Sequence, residues 1–496
     1  MSQPTDVEVV RALAAAGYNA EREAVTLLTE AEDPISAAER VAASAPADSL
    51  RIRPDDVREV MADPSVSTGT DRPQSVDSEQ VSPPETKGSS RPDRSPSPPA
   101  VDGDITGEST GTGSYSDFVS LFRDRYERLA SHLRGRVNHR PTDTIESAPG
   151  GSDVGLIGLV SDIRSTKNGH RLIELEDTNG TFPVLVTKDR DLADVIEDVL
   201  LDEAIAVAGT LSDDGGIVFA DELYFPDVPR TFEPSTADRH VQAALISDVH
   251  VGSREFLEES WSEFANWLHS PEAEAVEYLL IAGDMVEGVG VYPDQDEELD
   301  IVDIYEQYER FSEHLKAVPG DLEIVMIPGN HDAVRLAEPQ PALDDDLAEI
   351  MSAHDARVHG NPSTVTVDGV SILMYHGVSL DDLVASLPDS SASYERPAET
   401  MGHLLRKRHL APKFGGRMRI APEERDYLVI EEVPDVLHSG HVHKLGVDAY
   451  HDVRLVNSGC WQSQTEFQRS VNIVPDTGTA PILDLDTLDI TVRKFT

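Results

Sequence analysis

Gly329-Asn330-His331-Asp332 is the stretch that decides how the rest of this chain is interpreted. It follows an apolar run, residues 323–327, that predicts a buried strand, and Pro328 ends that run. An amide oxygen and an imidazole would then stand at the carboxyl end of a strand, where open α/β folds bind their ligands. Taken alone the tetrapeptide is a weak signal, because an Asn-His pair after a strand is more often a turn.

Four further apolar runs end in the same manner. Their continuations are Ser247-Asp248-Val249-His250, Gly283-Asp284, Tyr375-His376-Gly377 and Gly440-His441-Val442-His443. Most carry a glycine beside the polar residue, which lets the backbone turn sharply. Ordinary turns would not be expected to supply Asp, His and Asn five times in this order. The set therefore predicts one shared site at the edge of a sheet.

The residue types indicate the chemistry of that site. Neutral imidazoles and hard oxygens suit Mn²⁺, Fe²⁺ or Zn²⁺, and no thiolate is needed. A carboxylate that bridges can hold two ions about 3.5–4 Å apart, the spacing of two-metal hydrolases. The period of an extended chain also places Asp248 and His250 on one side, and His441 and His443 on one side.

These five blocks resemble the calcineurin-like metallophosphoesterase superfamily, whose pattern is D-x-H, G-D, G-N-H-D, H-G and G-H-x-H. All five are present without a substitution. Residues 406–412, 420–423 and 457–465 also look like the exonuclease small subunit of archaeal DNA polymerase D. The resemblance covers roughly residues 150–496.

The resemblance implies two metal ions, with Mn²⁺ favoured and Mg²⁺, Fe²⁺ or Zn²⁺ open. One ion would be held by Asp248, His250, Asp284 and His443, and the other by Asp284, Asn330, His376 and His441, so that Asp284 bridges. His331 lies outside that ligand set, and it would stabilise the transition state or protonate the leaving 3′-oxygen while Asp332 orients it.

The implied activity is 3′→5′ exonuclease proofreading. The implied partners are a large catalytic polymerase subunit, in a heterodimer, together with DNA and, through the holoenzyme, the sliding clamp.

Two other functions compete with this one. A non-catalytic polymerase scaffold would be expected to show gaps in the five blocks, and none is visible. A free-standing metallophosphatase or nucleotidase on the same fold would not need the barrel described below or residues 457–465.

The composition places the chain in a very salty cytoplasm. It has 41 Lys+Arg against 92 Asp+Glu, a formal charge of −51, which ordinarily argues against nucleic acid. At 1 M salt, however, the Debye length is about 3 Å, so local contacts decide. A single cysteine, Cys460, excludes an internal disulfide and fits a reducing cytosol. The sequence lacks an apolar run of membrane-spanning length, so no membrane partner is expected.

The chain divides into five predicted segments. Residues 1–60 predict a small helical domain of three short helices, and 61–113, rich in Pro, Ser, Thr and Gly, predict a disordered linker. Residues 114–145 predict a basic amphipathic helix capped by Ser116. Residues 150–230 predict an OB-fold domain of five strands joined by Asn-Gly and Gly-Gly turns, and 237–496 the metallophosphoesterase (nuclease) domain.

The expected fold class is therefore α/β: a two-sheet sandwich with helices outside, preceded by an OB barrel and a helical N-terminal domain. The barrel face has few aromatic residues, so protein contact competes with DNA binding there. His438 is expected to be packed. A basic cluster predicts a DNA-contacting cap, with a solvated helix end as the alternative; its members are Arg406, Lys407, Arg408, Lys413, Arg417 and Arg419.

Overall fold

The computed structural model describes residues 6–31, 33–45, 51–62, 96–145, 147–293, 295–351, 356–470 and 472–496. The linker predicted for 61–113 lies outside the described residues over 63–95.

The elements follow one another in three groups. The first group is α1 (Asp6–Ala15), β1 (Asn19–Ala20), α2 (Arg22–Thr29), α3 (Pro34–Ser44), β2 (Arg51–Ile52), α4 (Pro54–Ala62), β3 (Ala100–Asp102), α5 (Tyr115–Leu133) and α6 (Thr142–Ile145). The second is β4 (Asp153–Ser165), β5 (Arg171–Asp177), β6 (Gly180–Val186), α7 (Leu192–Val195), β7 (Ala204–Leu211) and β8 (Val218–Tyr224). The third is β9 (Gln242–Ile246), α8 (Glu258–Leu268), β10 (Val276–Ala282), α9 (Ile304–Lys316), β11 (Glu323–Ile327), β12 (Ala337–Glu338), α10 (Asp345–Met351), β13 (Arg357–Val358), β14 (Ser363–Val367), β15 (Val370–Met374), α11 (Ser379–Ser386), α12 (Pro397–Lys407), β16 (Arg419–Ile420), β17 (Val436–Ser439), β18 (Leu445–Tyr450), β19 (Val453–Ser458), α13 (Glu466–Ser470), β20 (Thr479–Asp484) and β21 (Ile490–Lys494).

The N-terminal bundle contains a helix that the sequence pattern missed. Three helices are predicted for residues 1–60, whereas α4 is a fourth, and its Val57 packs into the same core as Val9 and Leu28. The bundle is docked on the third group of elements. Asn19 donates a side-chain hydrogen bond to the Val318 carbonyl, and Arg22 donates to the carbonyls of residues 273 and 276.

The described C-terminal part of the predicted linker, residues 96–113, is packed against the rest of the fold. Residues 100–102 form β3, which pairs antiparallel with β14, and Asp104 contacts His359 at 2.8 Å. The prediction of disorder is wrong for this part. This part of the chain is too polar to form a core of its own. It is ordered because β3 pairs with the open edge of a sheet whose other strands lie far away in sequence.

Helix α5 joins the parts of the molecule. Its cap is Ser114 rather than Ser116, because Asp117 accepts the Ser114 backbone N–H at 2.6 Å. Leu129 and Leu133 pack with barrel residues, while Leu121 packs on the third group.

The second group of elements closes into a five-stranded barrel in the order β4-β5-β6-β8-β7. Alternate side chains point inward, so Leu156, Ile173 and Val207 share one core. All five strands predicted for residues 150–230 are present. Between β6 and β7, the short helix α7 gives way to a 3₁₀ turn at Ile196–Asp198.

Two six-stranded sheets carry the rest of the fold. The first has the order β13-β11-β10-β9-β20-β21 and the second β18-β19-β17-β15-β14-β3. Leu245 and Leu280 of the first sheet share a core with Ile372 of the second, so the sheets pack face to face. The next residue along each strand points outward, onto α8, α9 and α10 for the first sheet and α11 and α12 for the second. In the part of the chain that is described, no helix has the length and apolar character that crossing a membrane requires.

A buried ion pair fastens α5. Arg125 Nε lies 2.7 Å from Asp426 Oδ2, both side chains are almost wholly inaccessible, and Arg125 also donates to the Pro412 carbonyl at 3.2 Å. We expect Arg125→Met to lower the free energy of unfolding by about 3–5 kcal/mol, because Asp426 would keep a buried charge without its cation. Urea unfolding at molar salt measures this, since burial shields the pair from salt screening.

The matched control is Arg123→Met, on the exposed face of the same helix. It should change the free energy of unfolding by no more than about 0.5 kcal/mol. Equal losses in the two variants would mean that helix propensity, not the ion pair, explains the effect.

Candidate metal centre

The polar strand ends meet because the strands that carry them are parallel. β9, β10 and β11 run parallel in the first sheet, and β15, β17 and β19 run parallel in the second. Parallel strands bring their carboxyl ends to one edge, and the loops after five of these strands carry the predicted ligands. The site therefore spans the common edge of both sheets.

Asp248, His250 and His443 form one buried group, with ligand atoms all within 4.8 Å of one another. His443 Nε2 lies 3.4 Å from Asp248 Oδ1, and the Nε2 atoms of His250 and His443 face each other at 3.0 Å. These are three of the four residues expected for the first ion.

Asp284, His376 and His441 form a second group within the same limit. His376 Nε2 lies 3.2 Å from Asp284 Oδ2 and 3.1 Å from Asn330 Oδ1. Asp284 Oδ2 also lies 3.8 Å from His250 Nε2 of the first group. The carboxylate expected to bridge thus stands between the two groups.

The backbone at the site is unusual. Five of the candidate ligands have left-handed φ angles: Asp248 (53°), His250 (57°), Asp284 (52°), His441 (70°) and His443 (55°). Such angles are uncommon outside glycine, and they cluster where function requires strain. Two glycines permit close approach instead, because a Cβ on Gly329 would lie 2.2 Å from Asp284 Oδ1, and one on Gly440 would lie 2.2 Å from Asp248 Oδ2.

Charge within the site favours an ionised Asp284. Burial opposes ionisation, but the neighbouring His376 and His331 imidazoles hold the pKa of Asp284 well below its usual range. Asp332 behaves in the opposite way, since burial and the negative charge of Asp284 raise the pKa of Asp332 to about 7.

Asp332 does not orient His331, contrary to the expectation from sequence. Its carboxylate accepts the Gly329 N–H at 2.8 Å and the Tyr308 hydroxyl at 3.0 Å, so it holds the turn from the core side. His331 Nδ1 instead lies 2.7 Å from the Glu287 carbonyl oxygen. The two side chains leave the turn in different directions, which adjacent positions in a tight turn allow.

Glu287 is a site residue that sequence reasoning missed. Its buried carboxylate lies 2.9 Å from His250 Nδ1 and accepts a hydrogen bond from Gln462 Nε2 at 2.7 Å. Burial opposes its charge, yet His250 lowers the pKa of Glu287 to about 2. With His250 and His331 it forms a third group of potential ligands. Its position three residues after Asp284 was the available signal.

His438 is buried, as predicted, and belongs to a chain of polar contacts behind Asp248. Its Nε2 lies 3.1 Å from Ser458 Oγ, which lies 2.8 Å from Ser247 Oγ, and Ser247 donates to the Asp248 carboxylate. Burial lowers the pKa of His438 to about 3, so the ring is neutral.

The basic cluster divides into two halves. DNA contact is wrong for Lys407, which is 1% exposed and paired with Glu203, and for Arg408, which is 2% exposed and donates to the Ile430 carbonyl at 2.7 Å. Arg406 is partly covered and pairs with Asp198 at 3.0 Å. The physical reason is that the end of α12 packs against the barrel.

The second half stays accessible. Arg417 has 68% of its side chain exposed, Arg419 is exposed and Lys413 is half-buried. These three are the members of the cluster that a DNA strand can reach.

Comparison with known proteins identifies the family of the chain. The family model that describes the B subunits of DNA polymerases alpha and epsilon matches residues 243–444. The DNA polymerase II small subunit of Halobacterium salinarum is 63% identical over 504 residues, covering 99% of both chains. The DNA polymerase II small subunit of Archaeoglobus fulgidus is 42% identical over 387 residues, covering 76% of this chain and 77% of that one. A solved archaeal phosphodiesterase overlaps 51% of this chain and 99% of its own at 14% identity, with a TM-score of 0.27 that supports no argument. On the similarity of the full-length relatives, the chain belongs to the small-subunit family of archaeal DNA polymerase II, the polymerase also designated D.

Proposed function

We propose that this chain is a two-metal 3′→5′ exonuclease that removes mispaired ends within an archaeal family-D DNA polymerase. The observation that carries the proposal is the complete ligand set at one edge of the fold, with Asp284 between its two groups. In this proposal the barrel is an OB-fold and the two packed sheets are a calcineurin-like metallophosphoesterase domain. A scaffold would have no need to keep all seven ligands.

The donor atoms fit a pair of divalent ions. Carboxylate and amide oxygens converge with imidazole nitrogens, while Cys460 Sγ donates to the Gln462 carbonyl. The Nε2 atoms of His250 and His443 face each other in a buried space. They present either two lone pairs or one shared proton there. That donor set suits Mn²⁺, with Mg²⁺, Fe²⁺ or Zn²⁺ as alternatives.

A backbone hydrogen bond fixes the orientation of the Asp284 carboxylate. Asp284 Oδ1 accepts the His331 backbone N–H at 2.8 Å, so Oδ2 is the oxygen directed at His376 and His250. When bound, the ions would activate water and offset charge on the scissile phosphate.

In this proposal, His331 supplies a proton. Its Nδ1 donates to the Glu287 carbonyl, which fixes the ring and leaves Nε2 as the free nitrogen. The side chain is 18% exposed, whereas those of His250 and His376 are at most 2% exposed, so a substrate can reach His331. A protonated Nε2 there would serve the leaving 3′-oxygen.

Replacing Asp284 tests the metal assignment. We expect full-length Asp284→Asn to remain folded and to lose hydrolysis of 3′-labelled DNA at molar salt, with Mn²⁺ and Mg²⁺ compared. The reason is that one carboxylate faces both groups of ligands. Asp346→Asn, an exposed acid on α10, is the matched control and should be fully active. Normal activity in a folded Asp284→Asn protein would refute the two-metal assignment.

Replacing His331 separates turnover from metal binding. We expect His331→Ala to retain two ions per chain and to lose about 10²–10⁴-fold in kcat, as a lost general acid would. Metal analysis and single-turnover kinetics on the same preparation measure both. If one ion disappears instead, His331 is a ligand and its proposed role is wrong.

The proposed partner is a large catalytic subunit, in a heterodimer, with DNA and, through the holoenzyme, a sliding clamp. The barrel and the adjoining face of the sheets are the expected contact, because the barrel offers few aromatics for single-stranded DNA. A free-standing phosphatase would elute from gel filtration without a large partner chain.

A matched pair of surface variants tests this contact. Phe219 of the barrel and Val492 of β21 are each 39% exposed. We expect Phe219→Glu to weaken co-elution with the large subunit on gel filtration at molar salt, because a carboxylate would enter an apolar interface. Val492→Glu should co-elute normally. The reverse result would move the interface to the outer edge of the first sheet.

A further inference from the structure

A partly exposed aromatic group lies where α5 meets the loop that carries Phe414. Phe414 is 40% exposed, and its ring centroid lies 5.5 Å from that of Phe118 and 5.4 Å from that of Phe122. Tyr115 and Val119, at 83% and 45% exposure, extend the same face of α5 at helical spacing. We call Phe118, Phe122 and Phe414, with Arg417, the ledge. Open aromatic surface is costly in molar salt, so it indicates a binding function.

The loop that carries Phe414 is held in place at both ends. The Phe414 N–H donates to Asp202 Oδ2 at 3.0 Å, and the Arg417 N–H donates to Asp382 Oδ1 at 2.7 Å. Gly416 sits so close to Asp382 that a Cβ would lie 2.2 Å from its carboxylate oxygen. The ring of Phe414 is therefore presented by a preformed loop.

Arg417 connects the ledge to the candidate metal ligands. Its Nη1 lies 3.4 Å from Asp381 Oδ2, and His441 Nε2 lies 3.6 Å from that same oxygen. The Asp381 carboxylate thus lies between the Arg417 guanidinium and the candidate ligand His441, and the guanidinium is still mostly exposed. A phosphate adjoining the scissile one would lie within its reach.

We propose that the ledge binds the unpaired 3′ end of a DNA strand, with Phe414 stacking on a base and Arg417 contacting a phosphate. This rests on the proposed nuclease function, and it assigns the residues that would hold the strand whose end that function removes. Stacking does not depend on base identity, as removal of any mispaired nucleotide requires, and salt weakens it less than it weakens phosphate contacts. Continuity with the metal centre favours DNA over a protein occupant.

The test uses the full-length chain with Mn²⁺ at molar salt. Phe414→Ala should raise the KM for a single-stranded 3′-labelled oligonucleotide by about 5- to 100-fold, with kcat little changed. Phe414→Trp should restore KM and Phe414→Leu should not, because only an aromatic ring stacks. Val492→Ala is the matched control, since Val492 is 39% exposed on β21, the outer edge strand of the first sheet.

A small diester separates this inference from the nuclease proposal. Hydrolysis of bis(p-nitrophenyl) phosphate needs the metal centre but offers no DNA strand, so Phe414→Ala should leave it unchanged. If the natural chain cleaves neither substrate, the nuclease proposal fails, and fluorescence anisotropy with the same oligonucleotide then tests the ledge. An unchanged KM or affinity in Phe414→Ala overturns the inference. Normal DNA binding with lost affinity for the large polymerase chain would make the ledge a protein interface and overturn it too.

Discussion

Two buried carboxylates, Asp248 and Asp284, link the two sheets at their common edge. Asp248 follows β9 of the first sheet, and its oxygens accept the His441 N–H of the second sheet at 3.1 and 2.9 Å. Asp284 accepts the His331 N–H within the first sheet, and its Oδ2 lies 3.2 Å from His376 Nε2 of the second sheet. Charges buried at this depth need compensation, and backbone donors supply part of it. Under the proposed function, cations at the same point would supply the rest, which would couple folding to metal binding.

Helix α5 has two roles that depend on each other. Arg125 packs into a buried network with Asp426, whose carboxylate also lies 2.9 Å from His409 Nε2, and this fixes the helix between barrel and sheets. The same helix presents Phe118 and Phe122, on which Phe414 rests. The ion pair that holds α5 therefore also sets the position of the aromatic rings of the ledge.

Local patterns predicted the strands and the site, whereas distant contacts decided what was missed. An apolar run ending in a polar residue carries its own information, so β11 matches its predicted bounds. The polar side chains that follow β11, β15 and β17 lie close together, as the sequence predicts. Lys407 was expected to be a surface cation because no local pattern reveals its partner. That partner is Glu203, about two hundred residues away in sequence. The strand β3 was equally hidden, since its order comes from pairing with β14. Glu287 was missed because its partner His250 lies in another loop.

The central claim is that one carboxylate serves two ions at the edge shared by both sheets. Metal content measured by mass spectrometry, after dialysis of the full-length chain against Mn²⁺ at molar salt and removal of loosely bound ions, tests it most directly. The account predicts two Mn²⁺ per chain. A content of one ion or none in folded protein would contradict it.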